Sequence, residues 1–145
     1  MAVCNRYIPQ QMEAEDAFHE AFMKVFNHID QYQGGSLEGW MRRIFVNTCI
    51  NYYHKGKNRY LLEDITQKDY LVADFPDVLS QMSADHIHKL INELPTGARV
   101  VFNLFVIEGY AHKEIAEMLK LSEGTTKSQL NRAKELLRDK ILVTT

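Results

Sequence analysis

EGYAHKEIAEMLKLSEGTTKSQLNRAKELL, Glu108 to Leu137, reads as two short helices around a tight break. In His112 to Leu119 the apolar residues Ile115, Ala116 and Leu119 fall on one face, and the small Ala116 sits where a second helix has to approach closely. Leu121 is apolar inside an otherwise polar break, Ser122 is a capping residue, and Gly124 and Thr125 open the next helix. In that helix Leu130, Ala133 and Leu137 turn back toward the first. Lys127, Ser128, Gln129, Asn131, Arg132 and Lys134 are left for the outward face. Their amides, hydroxyl and cations suit phosphates and base edges in a major groove, the pattern of a helix-turn-helix. The same apolar spacing also fits a plain helical hairpin with a solvated face.

Around this stretch the composition describes an ordinary folded chain. Its 145 residues with 46% hydrophobic content suffice for one core or two small ones, and the 25% charged fraction argues against global disorder. No apolar run approaches the roughly 20 residues needed to span a bilayer, and the polar N-terminus lacks a signal-peptide core, so a cytoplasmic location is expected. Cys4 and Cys49 lack the clustered spacing of a zinc site and read as small apolar fillers. No cofactor is expected.

A net charge of −2 looks wrong for a nucleic-acid binder until the charges are mapped. Gly39 to Tyr60 holds Arg42, Arg43, Lys55, Lys57 and Arg59 with no acid. Glu63 to Asp85 holds Glu63, Asp64, Asp69, Asp74, Asp77 and Asp85 against Lys68 alone. From Ser122 to Lys140 five bases face Glu123, Glu135 and Asp139. Two basic surfaces flanking an acidic connector suit a chain that touches a polyanion twice, although each run taken singly also fits a solvated surface.

Helical periods run throughout, and no segment reads as a strand. Ala17, Phe18, Ala21, Phe22, Val25, Phe26 and Ile29 predict one apolar face on a helix from Gln11 to Ile29. Asp16 and Glu20, four apart, stack as an acidic patch on its other side. Paired glycines end the following loop, and Ser36 caps a helix whose Leu37, Trp40, Met41, Ile44, Phe45, Thr48 and Tyr52 are expected in the core. Arg43, Asn47 and Asn51 form a polar stripe at i, i+4, i+8. Repeated asparagines are poor helix formers, which points to a use beyond propensity, with a tolerated surface as the alternative. The acidic, aperiodic stretch from Tyr60 to Met82, with Pro76, is read as a linker. A helix then starts near Ser83, and Val100 to Ile107, apolar nearly all round, predicts a buried helix with the helix-turn-helix wrapped around it. The expected fold is therefore all-α, with helical domains at 1–59 and 83–145 joined by a linker at 60–82.

On these residues the chain resembles the extracytoplasmic-function (ECF) sigma factors of bacterial RNA polymerase. AEDAFHEAFMKVFNHIDQYQGGSLEGWMRRIFVNTCINYY, Ala14 to Tyr53, is similar to the family's region 2, and LPTGARVVFNLFVIEGYAHKEIAEMLKLSEGTTKSQLNRAKELL, Leu94 to Leu137, to its region 4. The two blocks stand in the family's order, with an acidic connector of suitable length between them. The resemblance implies that Asp16 and Glu20 dock on basic clamp helices of core RNA polymerase. It places Tyr32 and Ser36 in the loop that captures a flipped base of the −10 element, where stacking is worth about 1–3 kcal/mol per base. Arg43, Asn47 and Asn51 would line the melted strand, Trp40 would serve the core first, and Lys55, Lys57 and Arg59 would attract phosphates irrespective of sequence.

In the second block, Thr125, Lys127, Ser128, Asn131 and Arg132 match positions on the duplex −35 element. Arg132 is the expected bidentate guanine contact, worth about 1–3 kcal/mol of discrimination. Gln129 stands where an arginine is frequent and is expected to shift base preference or phosphate affinity. Thr126 stands where many relatives have valine. The linker would thread toward the RNA exit path, and an anti-sigma factor is an expected further partner. The family melts DNA without hydrolysing nucleotide, so neither a catalytic site nor a small-molecule substrate is expected. Region 2 in the family starts with a further helix ahead of the stretch matching Ala2 to Tyr7, so either translation starts elsewhere in the natural gene or the faces of Phe18 and Phe22 are left open, the latter favouring self-association. The readings that compete are a stand-alone helix-turn-helix regulator, which would bind duplex operator without polymerase, and an inactive decoy that sequesters an anti-sigma factor.

Overall fold

The computed structural model describes residues 1–56 and 80–144, all helix, turn or loop. The chain divides into two compact units, Met1–Arg59 and Tyr60–Thr145. Lys57, Arg59 and residues 60–79 of the expected linker lie outside the described residues. Among the described residues no helix is long and apolar enough to cross a membrane.

Three helices build the first unit: α1 (Ala2–Tyr7), α2 (Gln11–His28) and α3 (Leu37–Gly56), with a 3-10 turn at Ile29–Gln31. Each packs on the other two. The face that α2 buries is narrower than its apolar residues suggest. Ala14, Ala17, Ala21 and Val25 form the buried stripe, and small side chains there let the helices approach closely. Phe18, Phe22 and Phe26, also at i, i+4, i+8, lie beside that stripe and touch ring to ring, at 6.0 Å between Phe18 and Phe22 and 5.1 Å between Phe22 and Phe26. Phe18 is half-buried against Phe45, whereas Phe22 (42% exposed), Phe26 (63%) and Ile29 stay open to solvent. Phe22 is thus open, as expected of its face, whereas Phe18 is half-covered; the helix's apolar face is buried only along the alanine stripe, which already fills the helix contact. Leu37, at the first position of α3, is likewise exposed. On α3 the core residues are Val46, Thr48, Cys49 and Ile50, and the Thr48 hydroxyl is satisfied by donating to the Ile44 carbonyl at 2.8 Å.

The second unit holds α4 (Ala84–Asn92), α5 (Thr96–Phe102), α6 (His112–Leu119) and α7 (Glu123–Thr144). Ser83 caps α4 by accepting from the His86 N–H. α5 is buried on all sides through Ala98, Val100, Val101 and Phe102, and it runs on through one π turn, Asn103–Ile107. That turn ends at Gly109, whose φ of +80° is a backbone state that glycine takes at little cost. α7 packs along α5 and α6, so the helix-turn-helix does wrap around a buried central helix. Arg99 is the buried cation inside this core. It reaches back to donate to the Leu94 carbonyl at 2.9 Å, which satisfies a backbone acceptor just past the end of α4.

Candidate functional site

The turn between α6 and α7 is built by backbone chemistry. Lys120 takes the left-handed conformation, φ 57°, and the N–H groups of Lys120 and Leu121 both donate to the Ala116 carbonyl, closing the end of α6. A non-glycine residue there carries some strain, which the paired hydrogen bonds offset. Ser122 then caps α7: its Oγ accepts the Thr125 N–H at 3.1 Å and pairs with the Thr125 hydroxyl at 2.9 Å. At the start of α6 the Ala111 N–H donates to the Glu114 carboxylate at 2.9 Å, half of a capping box. Thr126 is buried; its hydroxyl donates to the Glu123 carbonyl at 2.8 Å and lies 3.0 Å from His112 Nδ1. A polar residue at a valine-like position is thus fully satisfied by the helix start on either side of the turn.

Along α7, Lys127 is exposed and Ser128, Asn131 and Arg132 are half-buried on the same outward side. The Ser128 hydroxyl donates to the Gly124 carbonyl at 2.9 Å, and Thr125 is engaged in the cap, so these two serve the helix start as well as any ligand. Gln129 does not join them. It is 6% exposed, and its amide lies where a Cβ on Gly97 would stand only 3.0 Å away, so it fills a slot against α5. The expectation of an outward Gln129 is corrected: it sits three after Thr126 and four before Ala133, which places it on the buried stripe. That spacing was legible in the chain; the residue's polarity masked it.

In the first unit, Asp16 is exposed and Glu20 half-buried on α2. Glu20 pairs with Lys24 at 3.3 Å and accepts from the Tyr52 hydroxyl. Burial pushes the Glu20 carboxyl up, but these two donors outweigh it and hold the group below the usual carboxylate range. Tyr52, expected in the core, is instead half-buried across from this acid. Burial, the hydrogen bond to Glu20 and the surrounding carboxylates push its phenol up to about 12. Lys55 lies 5.1 Å from the Tyr52 ring centre, a cation–π contact. Nothing in helical spacing distinguishes such a tyrosine from a core residue; only the packing of α2 on α3 brings it to Glu20.

The loop before α3 is held from within. The Tyr32 hydroxyl donates to the Gly35 carbonyl, Gly34 and Gly35 take φ of +100° and +82°, and Ser36 Oγ accepts the Gly39 N–H at 3.1 Å. Tyr32 packs on Trp40 at 5.6 Å between ring centres, and both are half-buried, so Trp40 presents its indole beside the loop as well as to the interior. Arg43, Asn47 and Asn51 form an exposed stripe down α3, with Lys55 one turn further on. An aromatic platform followed by a cation and two amides on one open helix face can stack a base and hydrogen-bond a strand.

Comparison with known proteins agrees with both halves. The sigma-70 region 2 model matches residues 1–60 and the sigma-70, region 4 model residues 84–137. The ECF RNA polymerase sigma factor SigW of Bacillus subtilis is 31% identical across 96% of this chain and 81% of its own length, and the ECF RNA polymerase sigma-E factor of Haemophilus influenzae is 30% identical across 94% and 78%. Against SigE of Mycolicibacterium smegmatis, also 31% identical, the chain aligns over 89% of itself and spans about half, 52%, of that protein. Among solved structures, the sigma factor RpoE in complex with the anti-sigma factor NepR from Bartonella quintana shares the fold, with a TM-score of 0.59 at 19% identity over 99% of this chain and 90% of that one. CnrH, in complex with the cytosolic domain of CnrY, does so at 0.54, over 99% and 80%. With region 2 and region 4 matched in order and SigW covered over four-fifths of its length, the chain belongs to the ECF sigma factors of the sigma-70 family.

Proposed function

We propose that the protein binds core RNA polymerase, recognises −35 and −10 promoter elements, and directs transcription initiation from them. The observation that carries this reading is the presence on one chain of two separately built surfaces: the open Arg43–Asn47–Asn51 stripe beside the Tyr32–Trp40 platform, and the helix-turn-helix whose α7 presents Lys127, Asn131 and Arg132. The first suits an unpaired strand and the second a duplex major groove. In this reading Met1–Arg59 handles the −10 element and polymerase, with Asp16 and Glu20 as the polymerase-facing acids, and the helix-turn-helix unit reads −35. The work is recognition rather than bond making, and its place is the cytoplasm, where polymerase and promoter are. Anti-sigma control is part of the proposal, because both similar solved structures are complexes, one of them with a named anti-sigma factor.

The test is reconstitution with sigma-free core polymerase, scoring co-elution and transcription from a pool of randomised promoters. Co-elution with transcripts that share −35 and −10 elements is the expected result. Asp16→Lys with Glu20→Lys should abolish co-elution while leaving the helical circular dichroism unchanged. Co-elution without transcripts would turn the reading toward a decoy, and duplex binding by the free protein without co-elution toward a stand-alone regulator.

A further inference from the structure

The inner side of α7 changes chemistry along its length. From Leu130 onward it buries Leu130, Ala133, Leu137 and Ile141, but in the opening turns the buried side chains are polar, Thr126 and Gln129. Those turns are the ones whose outer side carries Lys127, Ser128, Asn131 and Arg132. Apolar contacts are non-directional and let a helix roll on its neighbours, whereas a polar group in a fitted slot holds one angle. Thr126 and Gln129 are seated on different helices. Thr126 Oγ1 lies 3.0 Å from His112 Nδ1 on α6. Gln129 lies across the first turn of α5: a Cβ on Gly97 would stand 3.0 Å from its Nε2, 3.3 Å from its Cδ and 3.4 Å from its Oε1, so the whole amide rests where Gly97 has no side chain. The first N–H groups of a helix have no partner within it, which suits an amide there better than an apolar chain of equal size. We propose that Gln129 is a positioning residue for promoter reading: its seat over Gly97 fixes the roll of α7 and thereby sets base preference at the −35 element without a contact to DNA.

The inference rests on the reading of α7 as the −35 helix. Gln129 and Arg132 are three apart and so adjacent on the helix surface, which puts the seat next to the expected guanine contact. With its side chains an α-helix has a radius of about 5–6 Å, so a roll that moves the inner amide by about 1 Å moves an outer side chain by about as much. A hydrogen bond to a base edge holds over a window of only about 0.5 Å. Such a roll breaks a bidentate base contact while leaving the attraction between a lysine and a phosphate almost unchanged.

The experiment uses holoenzyme assembled from core polymerase and the full chain, transcribing a promoter library randomised at −35, beside thermal melting of the free protein. Arg132→Ala first maps the base pairs whose preference depends on that arginine. Gln129→Met, which keeps the volume and removes the amide, should reduce preference at those same base pairs by about fivefold or more and leave preference elsewhere within about twofold. Its melting temperature should stay close to that of the wild type. Gly97→Ala displaces the amide from the opposite side and leaves the sequence of α7 intact. It should act at the same base pairs, and it decides the matter if Gln129→Met does not fold. Wild-type preferences in both variants would overturn the proposal and leave the −35 reading standing. So would a uniform loss of transcription that tracks a lower melting temperature, the mark of a side chain that only stabilises the fold. A wild-type holoenzyme with no preference at −35 would overturn both.

Discussion

At the residue scale, His112 shows how one side chain can hold a DNA-reading turn together. Thr126 spends its hydroxyl proton on the Glu123 carbonyl, so its oxygen is left to accept, and the neutral His112 ring must carry its proton on Nδ1. Phe105 stacks on the other side of that ring at 4.5 Å. Burial, then the nearby Lys127 and Lys134, lower the pKa of His112 below its ordinary 6.5, and Glu123 opposes them only in part. A histidine depressed in the folded state makes unfolding take up a proton. The stability it contributes is therefore complete above about pH 6.5 and is lost as the pH falls through that window. Melting of the full chain should accordingly drop more steeply between pH 7.5 and 5.5 than that of His112→Gln. Parallel curves for the two proteins would remove His112 from the account.

Among the elements, α5 is the one on which the second unit depends, and Arg99 explains how it joins α4. Pro95 interrupts the chain between the two helices, leaving carbonyl groups at the end of α4 with no helical partner. Arg99 reaches back to the Leu94 carbonyl at 2.9 Å, with longer approaches of 3.5 Å to the Asn92 carbonyl and the Thr96 hydroxyl. Arg99→Met keeps most of the buried stem but leaves those acceptors dry. A loss of about 2–3 kcal/mol is expected, measured by urea denaturation of the full chain. A loss under 0.5 kcal/mol would mean that water or a neighbour replaces the guanidinium.

For the whole molecule, the exposed phenylalanines of α2 matter most. Phe22, Phe26, Met23 and Met12 leave a large apolar area on the outside of the first unit, and a groove of about 440 Å³ near Phe18 and Phe45 adds to it. Surfaces of this kind promote association when nothing covers them. The free protein should therefore self-associate in sedimentation at concentrations of about 100 μM, and Phe22→Ser with Phe26→Ser should return it to a monomer with the helical signal intact. A wild-type protein that remains monomeric across that range would sink this expectation.

The sequence by itself determined the helices, because capping residues and apolar periods are local. Ser36, Ser83 and Ser122 start α3, α4 and α7 where the chain says they should, and the Ile115–Ala116–Leu119 face is buried as its spacing demands. Family membership was legible for the same reason, since the helix-turn-helix and the region 2 block are contiguous strings. Tertiary structure alone decided which apolar residues form the core and which polar ones are spent inside it. The alanines of α2 take the contact with its neighbours and leave Phe22 and Phe26 outside, while the slot over Gly97 lets the polar Gln129 be buried on the stripe where its spacing places it. Tyr52 meets Glu20 only after the helices have packed. A linear pattern reports the direction of a side chain around its own helix; what stands opposite depends on the distance and angle of the neighbouring helix.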